Sequence, residues 1–168
     1  MKETLDFFAK NLIDWYLDNK RDLPWRKTDT WGVLVSEFML QQTPVNRVLP
    51  VYTEWMNRWP TPATLAKATP AEVITAWGRL GYPRRALRLH ECAKVITSDY
   101  KGVIPREEAE LRKLPGIGEY TAAAMVAFAF EGRSLVLDIN IRRLFARIID
   151  GVETPKLSAT KEEKSRYE

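Results

Sequence analysis

Cysteine and histidine are nearly missing from this chain: one of each occurs in 168 residues, Cys92 and His90. A lone cysteine excludes an internal disulfide. With no second cysteine or histidine anywhere, the pair also gives a zinc site almost no support. Long apolar runs are missing too, since none approaches the ~18 residues of a membrane helix. Met1-Lys2-Glu3 opens without the pattern of a secretory signal. These absences predict a cytoplasmic protein with no membrane partner. Nor is there an acidic excess, for the net charge is +4 and the pI near 9.2. The basic residues bunch, with Arg79, Arg84, Arg85 and Arg88 in one group and Arg142, Arg143 and Arg147 in another. Solvated helix faces and a nucleic-acid surface both fit such bunching.

What the chain does have is helical punctuation and 45% hydrophobic residues, enough for a sizeable core. Leu5, Phe8, Leu12, Trp15 and Tyr16 recur at helical spacing and predict an amphipathic helix over residues 3–19. Arg21 to Arg26 reads as a loop, broken by Pro24. The segment 31–42 is apolar on nearly every side, as a buried helix is. Thr43-Pro44 reads as an N-cap followed by proline, opening a helix whose face carries Val45, Val48, Tyr52, Trp55 and Trp59. Thr61-Pro62 and Thr69-Pro70-Ala71-Glu72 repeat that pattern, the latter with capping-box spacing. After Tyr82-Pro83, the residues Ala86, Leu89, Ala93, Ile96 and Tyr100 line one face of a further helix, of which His90 and Cys92 are ordinary members. Leu135-Val136-Leu137 is too short for a sheet, and Asp138 is placed to cap a last helix carrying Ile141, Leu144, Phe145, Ile148 and Ile149. The expected fold class is all-α. Residues 152–168, with few apolar positions, are expected to form a mobile tail or the start of a further segment.

Five places suggest chemistry. Leu114-Pro115-Gly116-Ile117-Gly118 turns between a short helix and the Ala-rich helix from Tyr120 to Phe130. A Gly-x-Gly turn opening a helix presents backbone N–H groups at the positive end of the helix dipole, as a phosphate grip does; an ordinary helix corner is the alternative. Glu37 lies inside the apolar helix, where a carboxyl must be paired or hold a proton, so it is either a solvated or salt-bridged rim residue or a general acid. Trp25-Arg26 is either core or a base-stacking pair, and Gln41-Gln42-Thr43 is a polar tip suited to probing a base pair or to capping. Asp138 can cap a helix and act in catalysis at once.

The hairpin followed by Asp138 resembles the helix-hairpin-helix DNA glycosylase superfamily. Val35-Ser36-Glu37-Phe38-Met39-Leu40-Gln41-Gln42-Thr43, with Leu23-Pro24-Trp25-Arg26 before it and Leu80-Gly81-Tyr82 after it, resembles the adenine DNA glycosylases of MutY type within that superfamily, from about residue 5 to 151. The resemblance implies removal of adenine mispaired with 8-oxoguanine or guanine in double-stranded DNA. It implies Glu37 as proton donor, Asp138 as the carboxylate that stabilises the transition state, supported by Asn140, and Tyr120 where the related endonuclease III branch carries a strand-cleaving lysine. Trp25 and Arg26 would line the adenine pocket, with Gln42 and Tyr82 as wedges beside Gln41 and Thr43; Gly116, Gly118 and Thr121 would hold the backbone. The implied organisation is a catalytic domain over 1–151: an N-terminal helix (1–24) of a cluster-bearing lobe, a six-helix lobe (25–137) with its hairpin at 111–125, and a returning helix (138–151). Residue 139 is isoleucine where the family usually has glycine, and Pro83 stands where a second tyrosine is common.

Relatives continue through four cysteines holding a [4Fe-4S] cluster and a domain that reads oxidised guanine, so a cluster is expected only in a longer chain. Without that segment, Leu5, Phe8, Leu12 and Trp15 are expected to be partly uncovered on an otherwise monomeric protein, and open to self-association. The resemblance also implies a bacterial-type protein associated with the nucleoid. Two other functions remain open, a mismatch thymine glycosylase of the same superfamily and a noncatalytic DNA-binding hairpin.

Overall fold

Helix α2 (Thr30–Leu40) is the axis about which the other elements are arranged. In this computed structural model, which describes the backbone of residues 2–155 and of Ser165 and the side chains from residue 7, α2 touches α3 (Val45–Arg58), α6 (Arg84–Asp99) and α8 (Glu119–Phe128). Its sequence is apolar all round, so it must be covered on all sides: Trp31, Leu34, Val35, Phe38 and Met39 are all buried. The Ala122-Ala123-Ala124 run explains why α8 can lie against it, because small side chains allow the two backbones to approach; all three are buried.

The described residues also form α1 (Lys2–Asn19), α4 (Pro62–Ala66), α5 (Pro70–Trp77), α7 (Glu108–Leu111) and α9 (Ile139–Ile148), with short 3-10 turns at Pro24–Arg26 and Gly78–Leu80; no strand occurs among them. Local caps fix several starts. Thr69 Oγ1 accepts from the N–H of Glu72 at 3.3 Å while the Glu72 carboxylate accepts from the N–H of Thr69 at 2.8 Å, closing the expected capping box. Thr61 and Thr64 make a second box.

Trp55, Trp59 and Trp77 meet edge to face, with ring centroids 4.7 and 5.6 Å apart, and tie α3 to α5. Each aromatic removed from water contributes about 1.5–3 kcal/mol. His90 and Cys92 are buried members of α6, as expected.

One expected cap is absent. Pro44, not Thr43, is the N-cap of α3, with no side-chain hydrogen bond. Thr43 is turned inward, and its hydroxyl donates to Leu80 O at 3.2 Å. Phe8, Leu12 and Trp15 on α1 are 42, 46 and 61% exposed, an apolar face left bare; the side chain of Leu5 lies outside the described residues. Most of the expected tail (156–164 and 166–168) lies outside them as well.

Candidate active site

Glu37 stands in the wall between two cavities. One, of about 720 Å³, is lined by Trp25, Arg26, Val33, Ser36 and Phe128; the other, of about 640 Å³, by Gln41, Gln42, Tyr82, Arg85 and Tyr120; Glu37 lines both. Among the described residues no hydrogen bond or ion pair reaches its carboxyl, so the salt bridge to an arginine is not formed. Burial among apolar neighbours pushes its pKa up to about 7. It therefore holds a proton for roughly half the time at neutral pH.

The first cavity has a fixed aromatic wall. Pro24 starts the 3-10 turn that carries Trp25 and Arg26. Trp25 is half-buried with its ring edge-on to Tyr52, centroids 5.2 Å apart at 76°. Tyr52 lies beside Gly32, where a Cβ would run into Thr28 Oγ1, come within 2.6 Å of the Tyr52 hydroxyl and have to push both side chains aside. Arg26 is exposed, its guanidinium 5.2 Å from the centre of the Tyr16 ring.

In the second cavity the polar tip is strained. Gln42 has φ +54° and Tyr82 φ +49°, a left-handed conformation that costs a non-glycine residue about 1–2 kcal/mol. Gln42 occupies the position after a helix end where glycine is the usual choice. Tyr82 follows Gly81 and is 64% exposed. Both side chains are held out where glycine would relieve the backbone.

The hairpin glycines have different reasons. Gly116 has φ +82°, and a Cβ there would meet Phe38 Cε1 at 2.7 Å and Arg88 Cβ at 3.0 Å, so this glycine packs the turn against α2 and α6. At Gly118 nothing lies within 4 Å of an added Cβ and φ is −92°, so the open approach lies here, at the N-cap of α8. Tyr120, in the first turn of that helix, is 43% exposed; burial of the rest of its ring first, then the charges of Glu37 and Asp138, push its phenol up to about 12. It is thus a neutral hydroxyl in the field of both carboxyls. The Thr121 side chain is buried in the hairpin.

Asp138 caps α9: its Oδ1 accepts from the N–H of Ile141 at 2.7 Å, and Asn140 Nδ2 donates to its Oδ2 at 3.1 Å. Both carboxylate oxygens are therefore oriented, by residues two and three places downstream.

Two arginines of the basic groups are not surface charges. Arg142 is 6% exposed. Arg85 donates to carbonyls at the end of α2 and before α6, a role that no local pattern announces because its partners lie up to 47 residues away. A [4Fe-4S] cluster does not fit the residues present: it needs about four thiolates, and Cys92 is the chain's only cysteine, buried, with its thiol pushed up to about 12 by burial.

Residues 35–166 match the family described as the HhH-GPD superfamily base excision DNA repair protein. The chain belongs to the HhH-GPD superfamily. Among HhH-GPD relatives, the adenine DNA glycosylase of Mycolicibacterium smegmatis is 55% identical over 142 residues, covering 83% of this chain and 48% of its own length. That of Homo sapiens is 41% identical over 151 residues, covering 84% of this chain and 28% of its own length. The chain thus spans about half the length of the mycobacterial relative. Among solved structures, a thermostable thymine-DNA glycosylase superposes with a TM-score of 0.80 at 28% identity, covering 86% of this chain and 67% of that one. A non-covalent endonuclease III–DNA complex gives 0.75 at 22% identity, over 88% and 68%, a likeness of fold alone.

Proposed function

We propose that this chain is the catalytic part of a monofunctional adenine DNA glycosylase, which hydrolyses the N-glycosidic bond of adenine mispaired with 8-oxoguanine or guanine. The observation that carries the reading is Glu37: an unpaired carboxyl with a pKa near 7, in the wall between an aromatic-lined cavity and the cavity that receives Gln42 and Tyr82. The 55% identity to an adenine DNA glycosylase supports the choice of base.

Adenine leaves poorly as an anion. Flipped into the first cavity beside Trp25 and Arg26, it would take the Glu37 proton on a ring nitrogen as the bond to C1′ breaks and its electron pair passes to the base. The deoxyribose left behind is oxocarbenium-like, and the Asp138 carboxylate, oriented by Ile141 and Asn140, would stabilise it until water adds to C1′ and returns a proton to Glu37. Flipping costs roughly a few kcal/mol, which the Gln42 and Tyr82 wedges and the backbone at Gly118 would offset. Tyr120 offers a phenol and no amine, so no Schiff base forms and the strand is left uncut. Such work would be done on double-stranded DNA, at the nucleoid if the protein is of the bacterial type.

The test is single-turnover base release from a duplex with one adenine opposite 8-oxoguanine, followed by alkali to reveal abasic sites, with thymine opposite guanine in a parallel duplex. Alkali-dependent cleavage at adenine that is lost in Asp138→Asn is expected. Release at thymine instead would favour the reading suggested by the 0.80 superposition on a thymine-DNA glycosylase. Binding without release in either duplex would leave a noncatalytic hairpin module.

A further inference from the structure

Gln42 and Tyr82 reach the same cavity from segments forty positions apart, and both segments are tied to one side chain. The Arg85 guanidinium donates to Phe38 O at 3.1 Å, Met39 O at 3.2 Å and Gln41 O, all at the end of α2. It also donates to Leu80 O at 3.3 Å, Gly81 O at 3.1 Å and Thr43 Oγ1 at 2.9 Å. Its plane lies 5.5 Å from the centre of the Tyr82 ring and 5.4 Å from that of Trp77. Helix α2 ends without a basic residue in its last turn and without glycine after it; the Thr43 N–H reaches Leu40 O at 3.2 Å, and the Phe38, Met39 and Gln41 carbonyls are the ones that Arg85 takes up. All of the Arg85 bonds come from Nη1 and Nη2, while Nε is buried and makes none among the described residues; the fixed planar fork of the two amino groups suits such a collection of oxygens, whereas a lysine ammonium is a point charge on a mobile stem.

We propose that Arg85 is a positioning residue that holds Gln42 and Tyr82 as one preformed wedge, so that both enter the duplex together. This deepens the glycosylase reading and rests on it for its catalytic consequence. The left-handed backbones at both positions are what require the clamp. Each would relax if its segment were released, and two relaxed segments would have to be ordered again, separately, at the moment of base flipping. Phe38 of α2 and Leu89 and Ala93 of α6 belong to one buried core and the two helices touch, so Arg85 adds its bonds at the end of α2 and across the two loops beyond that packing.

The decisive variant is Arg85→Lys in the full 168-residue chain, which keeps the charge and removes the fork. Amide hydrogen exchange is expected to accelerate at least tenfold at residues 41–43 and 80–82 together while α4 and α5 keep their protection. Adenine release from the 8-oxoguanine duplex is expected to fall at least tenfold while affinity for undamaged duplex changes less than twofold. In a double variant with Tyr82→Ala, Arg85→Lys should cost less than it does in the unaltered background, because only Gln42 is left for it to position. Acceleration confined to one segment, multiplying losses in the double variant, or undiminished release by folded Arg85→Lys overturns the proposal. If Arg85→Lys does not fold, Thr43→Val removes one member of the bridge and should loosen both segments to a smaller extent; no change there overturns the proposal equally. If the unaltered chain releases no base, the glycosylase reading falls by itself, and joint acceleration of the two segments still decides whether the clamp exists.

Discussion

Glu37→Gln should change the pH dependence of stability as well as activity, and the size of the change follows from where the carboxyl sits. In the fold its pKa is near 7 against an ordinary 4.5, so the folded chain binds this proton more tightly than the unfolded chain does. Its stabilising contribution is then complete below about pH 4.5 and is lost as the pH rises through 7. A difference of about 2.5 pH units corresponds to about 3 kcal/mol over the whole window. Glutamine has no proton to lose. The stability of Glu37→Gln relative to the unaltered chain should therefore rise by about 2–3 kcal/mol between pH 5 and pH 8, which for a domain of this size is roughly 5–10 °C in Tm. Thermal melts of both proteins at each pH measure it. The catalytic counterpart is a base-release rate that falls about fivefold between pH 7 and pH 8 as the protonated fraction drops, and that is abolished in Glu37→Gln. A Tm difference that does not vary with pH would refute the burial account of Glu37, and with it the proton-donor role.

Two further pairs separate fold from function. Asp138→Ala removes the cap of α9 and should cost about 1 kcal/mol, whereas Asp138→Asn, an equally good cap, should leave the melting temperature nearly unchanged; base release should fall roughly 10²–10³-fold or more in both, as single-turnover kinetics would record. Gly116→Ala meets both a left-handed φ and Phe38 at 2.7 Å and should destabilise by about 2–4 kcal/mol in denaturant unfolding. Gly118→Ala meets nothing and should melt at the original temperature or slightly above, while its affinity for duplex DNA, read by anisotropy, should drop.

What could be read from the sequence was what is settled within a few residues. The Thr69–Glu72 box, the Asp138 cap and the buried face of α6 depend on neighbours three or four places away, and each formed as its spacing predicts. What could not be read depended on distant partners. Thr43-Pro44 has the local pattern of a cap, but a longer-range bond to Leu80 and Arg85 takes the threonine hydroxyl. Arg85 looks like its surface neighbours Arg84 and Arg88 until the carbonyls of α2 are placed beside it. Gly116 carries the signature of a phosphate turn, yet Phe38, 78 positions earlier, is what occupies the space its missing side chain leaves. Glu37 lay between: the apolar helix around it was plain, but whether an arginine would reach it was a question only the packing of other helices could answer.

Cys92 has a practical consequence. It is the chain's only thiol, it is fully buried in α6, and with a pKa near 12 only about one molecule in 10⁴ would carry it as a thiolate at pH 8. Maleimides and activated disulfides should therefore pass the unaltered chain by. A cysteine introduced at exposed Gln42 or Tyr82 would be the single reactive handle on the molecule. It would allow a duplex bearing a thiol-tethered base to be locked against either wedge with no need to remove a native sulfur.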